Sequence, residues 1–99
     1  MKVKNLLKDR SRWTQGVYFR GKNRHPTDDP NKAVKFCLLG AIEKCYADSP
    51  TRRNVEDTVR KEINWPNQGG FNFKGIASWN DDKARKFSEV KALVTRLDI

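Results

Sequence analysis

Imidazole and thiol are scarce in this 99-residue chain, which holds one histidine, His25, and two cysteines, Cys37 and Cys45. With no C-x-x-C pair, a structural zinc site within one chain has no basis. The cysteines lie eight positions apart in a segment that reads as one helix, so their Cα atoms are about 12 Å apart. That is too far for a disulfide, and both read as core thiols. No run of about eighteen apolar residues is present, which leaves no membrane-spanning segment. MKVKNLLKDRSR lacks the apolar core and small-residue cleavage site of a signal peptide, so the cytoplasm is the expected setting. Also missing are G-x-S-x-G, a Walker A loop and H-x-E with paired cysteines. His25 sits in a basic polar stretch where nothing fixes a tautomer. Asp28/Asp29 and Asp81/Asp82 are sequence neighbours, poorly placed to converge as acid and base. No catalytic residue, cofactor or metal is expected, and the chain reads as non-enzymatic.

Acidic charge is nearly absent from the first 25 residues. Lys2, Lys4, Lys8, Arg10, Arg12, Arg20, Lys22 and Arg24 face Asp9 alone, a net of +7, whereas the other 74 residues add only +2 to the total of +9. A single-sign field attracts polyanions and steers their approach. The bland alternative is a solvated, solubilising end. The rest of the composition, 36% apolar and 33% charged with ten aromatics, is that of a folding chain. Its length predicts one domain over residues 1–99, with the basic segment at 1–25 as part of it.

The expected fold is mainly α, about four helices around a central one. Val3, Leu6, Leu7 and Arg10 have amphipathic spacing, which predicts helix one over residues 2 to 10. Val17-Tyr18-Phe19, bracketed by Gly16 and Gly21, favours a short β element. KNRHPTDDPNK reads as a surface loop ending in an Asp29 N-cap with Pro30 at the first helical position. The central helix then covers about 30–47, apolar on nearly every side. Gly40 in its middle costs about 1 kcal/mol of propensity against Ala, which implies a close crossing by another element. Ser49-Pro50 or Thr51 caps a third helix over 51 to 64, with a Val55, Val59, Ile63 stripe and flanking Glu56/Arg60 and Asp57/Lys61 pairs. Residues 65 to 75 read as a loop holding Trp65, Phe71 and Phe73. A fourth helix runs from near Asp82 to Leu97, with Phe87, Val90, Leu93, Val94 and Leu97 on one face. There are no repeats, linkers or low-complexity segments.

Three short motifs stand in order: W-T-Q-G at 13 to 16, F-C-L-L-G-A-I at 36 to 42, and I-A-S-W-N-D-D at 76 to 82. Their combination resembles a family of small bacterial and phage proteins known only as a domain of unknown function. The similarity spans about residues 13 to 99; the lysine-rich start and the 65 to 75 loop do not fit its pattern. The resemblance implies a mostly helical fold and a cytoplasmic setting and is consistent with a phage origin. It lends no activity, ligand or catalytic residue.

Two readings compete for W-T-Q-G. In the structural one, Trp13 fills a core pocket, Gln15 satisfies backbone groups and Gly16 permits a turn. In the functional one, Trp13 and Tyr18 form a stacking surface among Arg12, Arg20 and Arg24. The structural reading is favoured for Trp13 and Gln15, and Tyr18 stays open between the two. S-W-N-D-D reads as a helix start, since Ser78, Asn80 and Asp81 are capping residues; nothing in its spacing demands a metal. Trp13, Gln15, Trp79 and Asn80 form two similar Trp-x-polar clusters that would be neighbours if helices one and four close the core. The competing reading makes these four a small-ligand pocket. The expected function is non-enzymatic binding of an anionic partner, nucleic acid first and a nucleotide-type ligand second. Lys2, Lys4, Lys8, Arg10, Arg12, Arg20, Lys22 and Arg24 would make the phosphate contacts, with Tyr18 beside them. The alternative is a phage-made inhibitor of a host protein with an acidic surface, which draws the same charges.

Overall fold

Asp9 shortens the first helix. The computed structural model describes residues 1–64 and 74–99, and in it α1 is only Val3–Leu6. The Asp9 carboxylate accepts the Ser11 N–H at 2.9 Å and opens a separate 3-10 turn, Arg10–Arg12. This local side-chain bond competes with helix continuation, so the helix expected over 2 to 10 is replaced by two short pieces. Val3 and Leu7 are buried, while Arg10 is exposed.

The predicted central helix also starts later than its apolar run suggests. The β element expected at 17 to 19 begins only at its last residue, as β1, Phe19–Arg20. It pairs antiparallel with β2, Lys35–Phe36, in the register Phe19 to Phe36 and Arg20 to Lys35. Val34 N–H donates to the Arg20 carbonyl at 2.8 Å and Cys37 N–H to that of Tyr18 at 3.1 Å. Those bonds claim the donors a helix through 33 to 37 would need. Asp29 accepts the Asn31 N–H at 2.9 Å, but it caps a single turn rather than a helix. α2 is therefore Leu38–Cys45, with Cys37 as its N-cap.

Residues Leu38 to Ile42 are all buried, and α2 packs against α1, β2 and two later helices, α3 (Ser49–Ile63) and α4 (Lys74–Asp81). The close crossing implied by Gly40 is the Tyr18 backbone: a Cβ at Gly40 would lie 2.3 Å from the Tyr18 carbonyl oxygen. Cys37 and Cys45 stand at the two ends of α2, both as free thiols.

α3 is Ser49–Ile63, capped one residue earlier than expected: Asp48 accepts the Thr51 N–H at 3.2 Å. Val59 is buried between half-buried Val55 and Ile63. Arg60 pairs with Glu56 at 3.1 Å and also takes Asp57 at 2.7 Å, the partner the spacing assigns to Lys61.

The largest correction concerns S-W-N-D-D, which ends one helix instead of starting another. α4 is Lys74–Asp81. Ile76, Trp79 and Asn80, spaced i, i+3, i+4, are all buried on one face of it. α5, Phe87–Leu97, begins five residues beyond Asp82, where Glu89 accepts the Lys86 N–H at 2.8 Å. Apart from Lys74 and Gly75, which belong to α4, the expected 65 to 75 loop lies outside the described residues, with Trp65, Phe71 and Phe73. Among the described residues the chain is thus mainly α, with five helices and a two-stranded ribbon, and no helix is long and apolar enough to cross a membrane.

These contacts predict that Leu38→Ala and Ile42→Ala each cost about 2 to 5 kcal/mol, the range for emptying a packed site. Gly40→Ala should be at least as damaging as ordinary overpacking, about 1 to 3 kcal/mol, because backbone rather than a movable side chain blocks the new methyl. Urea unfolding of the three variants measures this; wild-type midpoints would contradict the packing.

Candidate functional site

Asn80 is the one fully buried polar residue among the described residues, and it meets its whole hydrogen-bonding capacity. Its Oδ1 accepts the Trp13 indole N–H at 2.7 Å and the Leu38 N–H at 3.0 Å. Its Nδ2 donates to the Thr14 carbonyl at 3.1 Å and to Asp81 Oδ1 at 2.9 Å. The two donors on one side fix which end of the amide is oxygen. Leu38 opens α2, so Asn80 supplies an acceptor to one of the N–H groups that every helix start leaves unpaired.

Gln15 completes the join from the other direction. Its Nε2 donates to the carbonyls of Asn80 at 2.8 Å and Asp82 at 3.0 Å, while Arg85 Nε takes the Trp79 carbonyl at 2.9 Å. Together they satisfy carbonyls at the end of α4. Gly16 sits at φ 87, a left-handed position, and its N–H donates to Asp81 Oδ1 at 3.0 Å. The structure therefore brings Trp13, Gln15 and Asn80 together. Trp79 stands apart in the core, with the Arg85 guanidinium 3.9 Å from its ring centroid.

The basic residues divide into three groups. Lys2 and Lys4 converge on Asp98 at 2.8 and 2.5 Å; their hydrogen bonds and charges hold the Asp98 carboxyl down to about 2. Arg20 turns inward, donating to Thr14 Oγ1 at 2.8 Å, to the Arg24 carbonyl at 3.0 Å and to the Gln15 carbonyl at 3.3 Å. Lys8, Arg10, Arg12, Lys22 and Arg24 make no ion pair among the described residues. Tyr18 is exposed, but its surroundings differ: partial burial raises its phenol first, and Cys37, Glu43, Glu56 and Asp81 raise it further.

A shallow open cleft runs past Trp13 in two adjoining lobes that share Trp13, Thr14 and Lys35. One, about 460 Å³, adds Arg10, Ser11 and Gln15; the other, about 340 Å³, adds Arg20 and Arg24. Lys35 is the residue that sequence reasoning missed, because it was assigned to a helix. Its Nζ donates to the Ser11 carbonyl at 2.9 Å, which sets it at the middle of the cleft. A separate hollow of about 580 Å³ under the 21–34 loops is lined by Lys22, with His25 nearby, and by none of the other expected phosphate contacts. Burial pushes the Cys37 thiol up to about 11 and raises Cys45, so neither is a ready thiolate near neutral pH.

Asn80→Ala would strand buried donors and an acceptor, each costing about 1 to 3 kcal/mol, and should lower stability by at least that much. Asn80→Asp should be comparably harmful, because it sets a carboxylate oxygen against the Thr14 carbonyl and Asp81. Trp13→Phe and Asn80→Ala should be non-additive by about 0.5 to 3 kcal/mol; additive denaturation midpoints would contradict the bond. A further expectation concerns acid. The folded value of Asp98, about 2, lies below its ordinary 3.8, so its pairing stabilises the fold above about pH 4 and fades as pH falls toward 2. Asp98→Asn should flatten the stability profile over that interval alone.

No curated protein and no solved structure matches the chain. A family model does match, over residues 1–97. It takes in the lysine-rich start that the motif comparison from residue 13 onward left aside, together with all three motifs. The chain therefore belongs to DUF6197, a family of unknown function.

Proposed function

We propose that the protein is a non-enzymatic cytoplasmic binding module for an anionic partner, and that the partner is nucleic acid held through its phosphates. The observation that carries this reading is a group of cations that make no ion pair among the described residues, Lys8, Arg10, Arg12, Lys22 and Arg24, with Lys8 and Arg12 feeling the charge of Asp9. Lys2 and Lys4 spend part of their charge on Asp98, and Arg20 serves mainly to brace the loop, so the active part of the basic face is narrower than the sequence suggests. Non-enzymatic action is supported by burial, which raises both thiols away from the thiolate form, and by the exposed position of His25. Phosphate contacts of this kind position a partner without reading its sequence.

Neutralising about five phosphates should give a slope of log affinity against log salt of about −4.5 on a duplex and about −3.5 on a single strand. Changing Lys8, Arg10 and Arg12 to Ala should flatten that slope while the melting curve stays cooperative. Affinity that is indifferent to salt would refute phosphate binding. Protein purified without nuclease or high-salt washes should also carry an elevated 260/280 absorbance ratio.

A further inference from the structure

The cleft beside Trp13 joins features that phosphate attraction alone does not require. Its walls carry Arg10, Arg20, Arg24 and Lys35, and no carboxylate lines either lobe among the described residues. The ring between these cations is fixed. Its N–H is committed to Asn80, and Phe87 stands against it with centroids 6.0 Å apart and planes at 46°. Trp13 is only half-buried, so a held indole remains available to the cleft. Arg24 adds a separate sign. It occupies φ 67, a left-handed backbone position that favours Gly, Asn or Asp and is uncommon for other side chains. Its carbonyl there accepts Arg20 Nη1. An arginine at such a position, its carbonyl bonded by a second arginine of the same lobe, points to a use for its guanidinium.

Resting on the nucleic-acid reading above, we infer that this cleft takes unpaired nucleotides of a single strand. A base stacks on Trp13, Lys35 lies beneath the backbone, and the flanking phosphates meet Arg10 at one end and Arg24, braced by Arg20, at the other. Duplex readers project a helix or ribbon into a groove, whereas this open cleft presents a ring flanked by cations, and a base still stacked within a duplex has no free face to lay on it. An acidic peptide satisfies the cations but leaves the ring unused. Single-strand platforms combine a basic groove with a stacking ring, and both are in place. Gln15 also lines the cleft, and with its Nε2 held by two carbonyls its Oε1 remains an acceptor for a base amino group. DNA and RNA share this chemistry.

The test uses the full chain in fluorescence anisotropy with four labelled probes: single-stranded DNA and RNA of about 12 nucleotides, a DNA duplex of equal phosphate number, and a polyglutamate peptide. The expected result is single-strand binding about tenfold or more tighter than duplex binding, with the DNA and RNA strands telling the two sources apart. Arg24→Gly, which suits the left-handed backbone, and Arg10→Ala should each weaken single-strand binding several-fold and reduce its salt slope by about 0.7. Trp13→Phe retains a ring and should keep binding per folded molecule, while Trp13→Leu should lose it; Arg24→Gly serves the same end if Trp13→Leu fails to fold. Equal or tighter duplex binding, unmoved by Arg24→Gly, would overturn the single-strand assignment and leave phosphate binding standing. Binding to polyglutamate alone, or to none of the probes, would overturn both.

Discussion

Asn80 stands where three segments far apart in the chain must meet: the start of α2, the end of α4 and the extended stretch after the 3-10 turn. A buried amide is costly unless every donor and acceptor finds a partner. Here Trp13, Leu38, Thr14 and Asp81 supply all four. The requirement runs outward from there. Leu38 can begin α2 only where Asn80 reaches it, which fixes the position of the most buried helix. α4 can end at Asp81 because Gln15 and Arg85 take up its last carbonyls. The Tyr18 backbone, following W-T-Q-G, then passes over α2 so closely that only glycine fits at residue 40.

This frame gives the basic rim its geometry. Arg20 is tied to Thr14, Gln15 and the Arg24 carbonyl, and Lys35 to Ser11, so two of the cleft's cations are held in place by the protein itself. Such preorganisation would reduce the ordering cost of the proposed binding. Trp13 serves two purposes through different parts of one side chain: its N–H edge closes the core, and the remainder of the ring borders the cleft. The structural anchor and the proposed stacking surface are therefore not exclusive at this residue.

Periodicity made α3 and α5 legible, because Val55, Val59 and Ile63, and Val90, Leu93 and Val94, repeat at helical spacing against polar surroundings. The glycine inside an apolar helix gave away the crossing at residue 40. The same uniform apolarity hid the start of α2: A-V-K-F-C-L-L-G-A-I has no distinguishing period, and a buried strand followed by a buried helix reads as one helix. Lys35 was hidden with it. S-W-N-D-D misled for a different reason. Ser, Asn and Asp bond to nearby backbone at any helix end, and the Ile76, Trp79, Asn80 face looks incomplete when its third member is an amide. The kinship of the two Trp-x-polar clusters was visible, yet which partner each would take was not; Trp13 bonds Asn80, while Trp79 enters the core under Arg85. The charges were plain in the sequence, but not their sorting, since the pairing of Lys2 and Lys4 with Asp98 joins positions more than ninety residues apart.

Hydrogen exchange by nuclear magnetic resonance, read at the Leu38 N–H and the Trp13 indole N–H, tests the central role of Asn80 most directly. Groups that open only when the whole domain unfolds exchange with the free energy of global unfolding, while frayed or exposed groups exchange at little cost. The account predicts that both protons belong to the slowest class, with exchange free energies equal to the denaturation value, and that both become fast together in Asn80→Ala under conditions where that variant is still folded. Rapid exchange of either proton in the wild-type protein, at the rate of the exposed turn amides of Lys22 and Asn23, would contradict it.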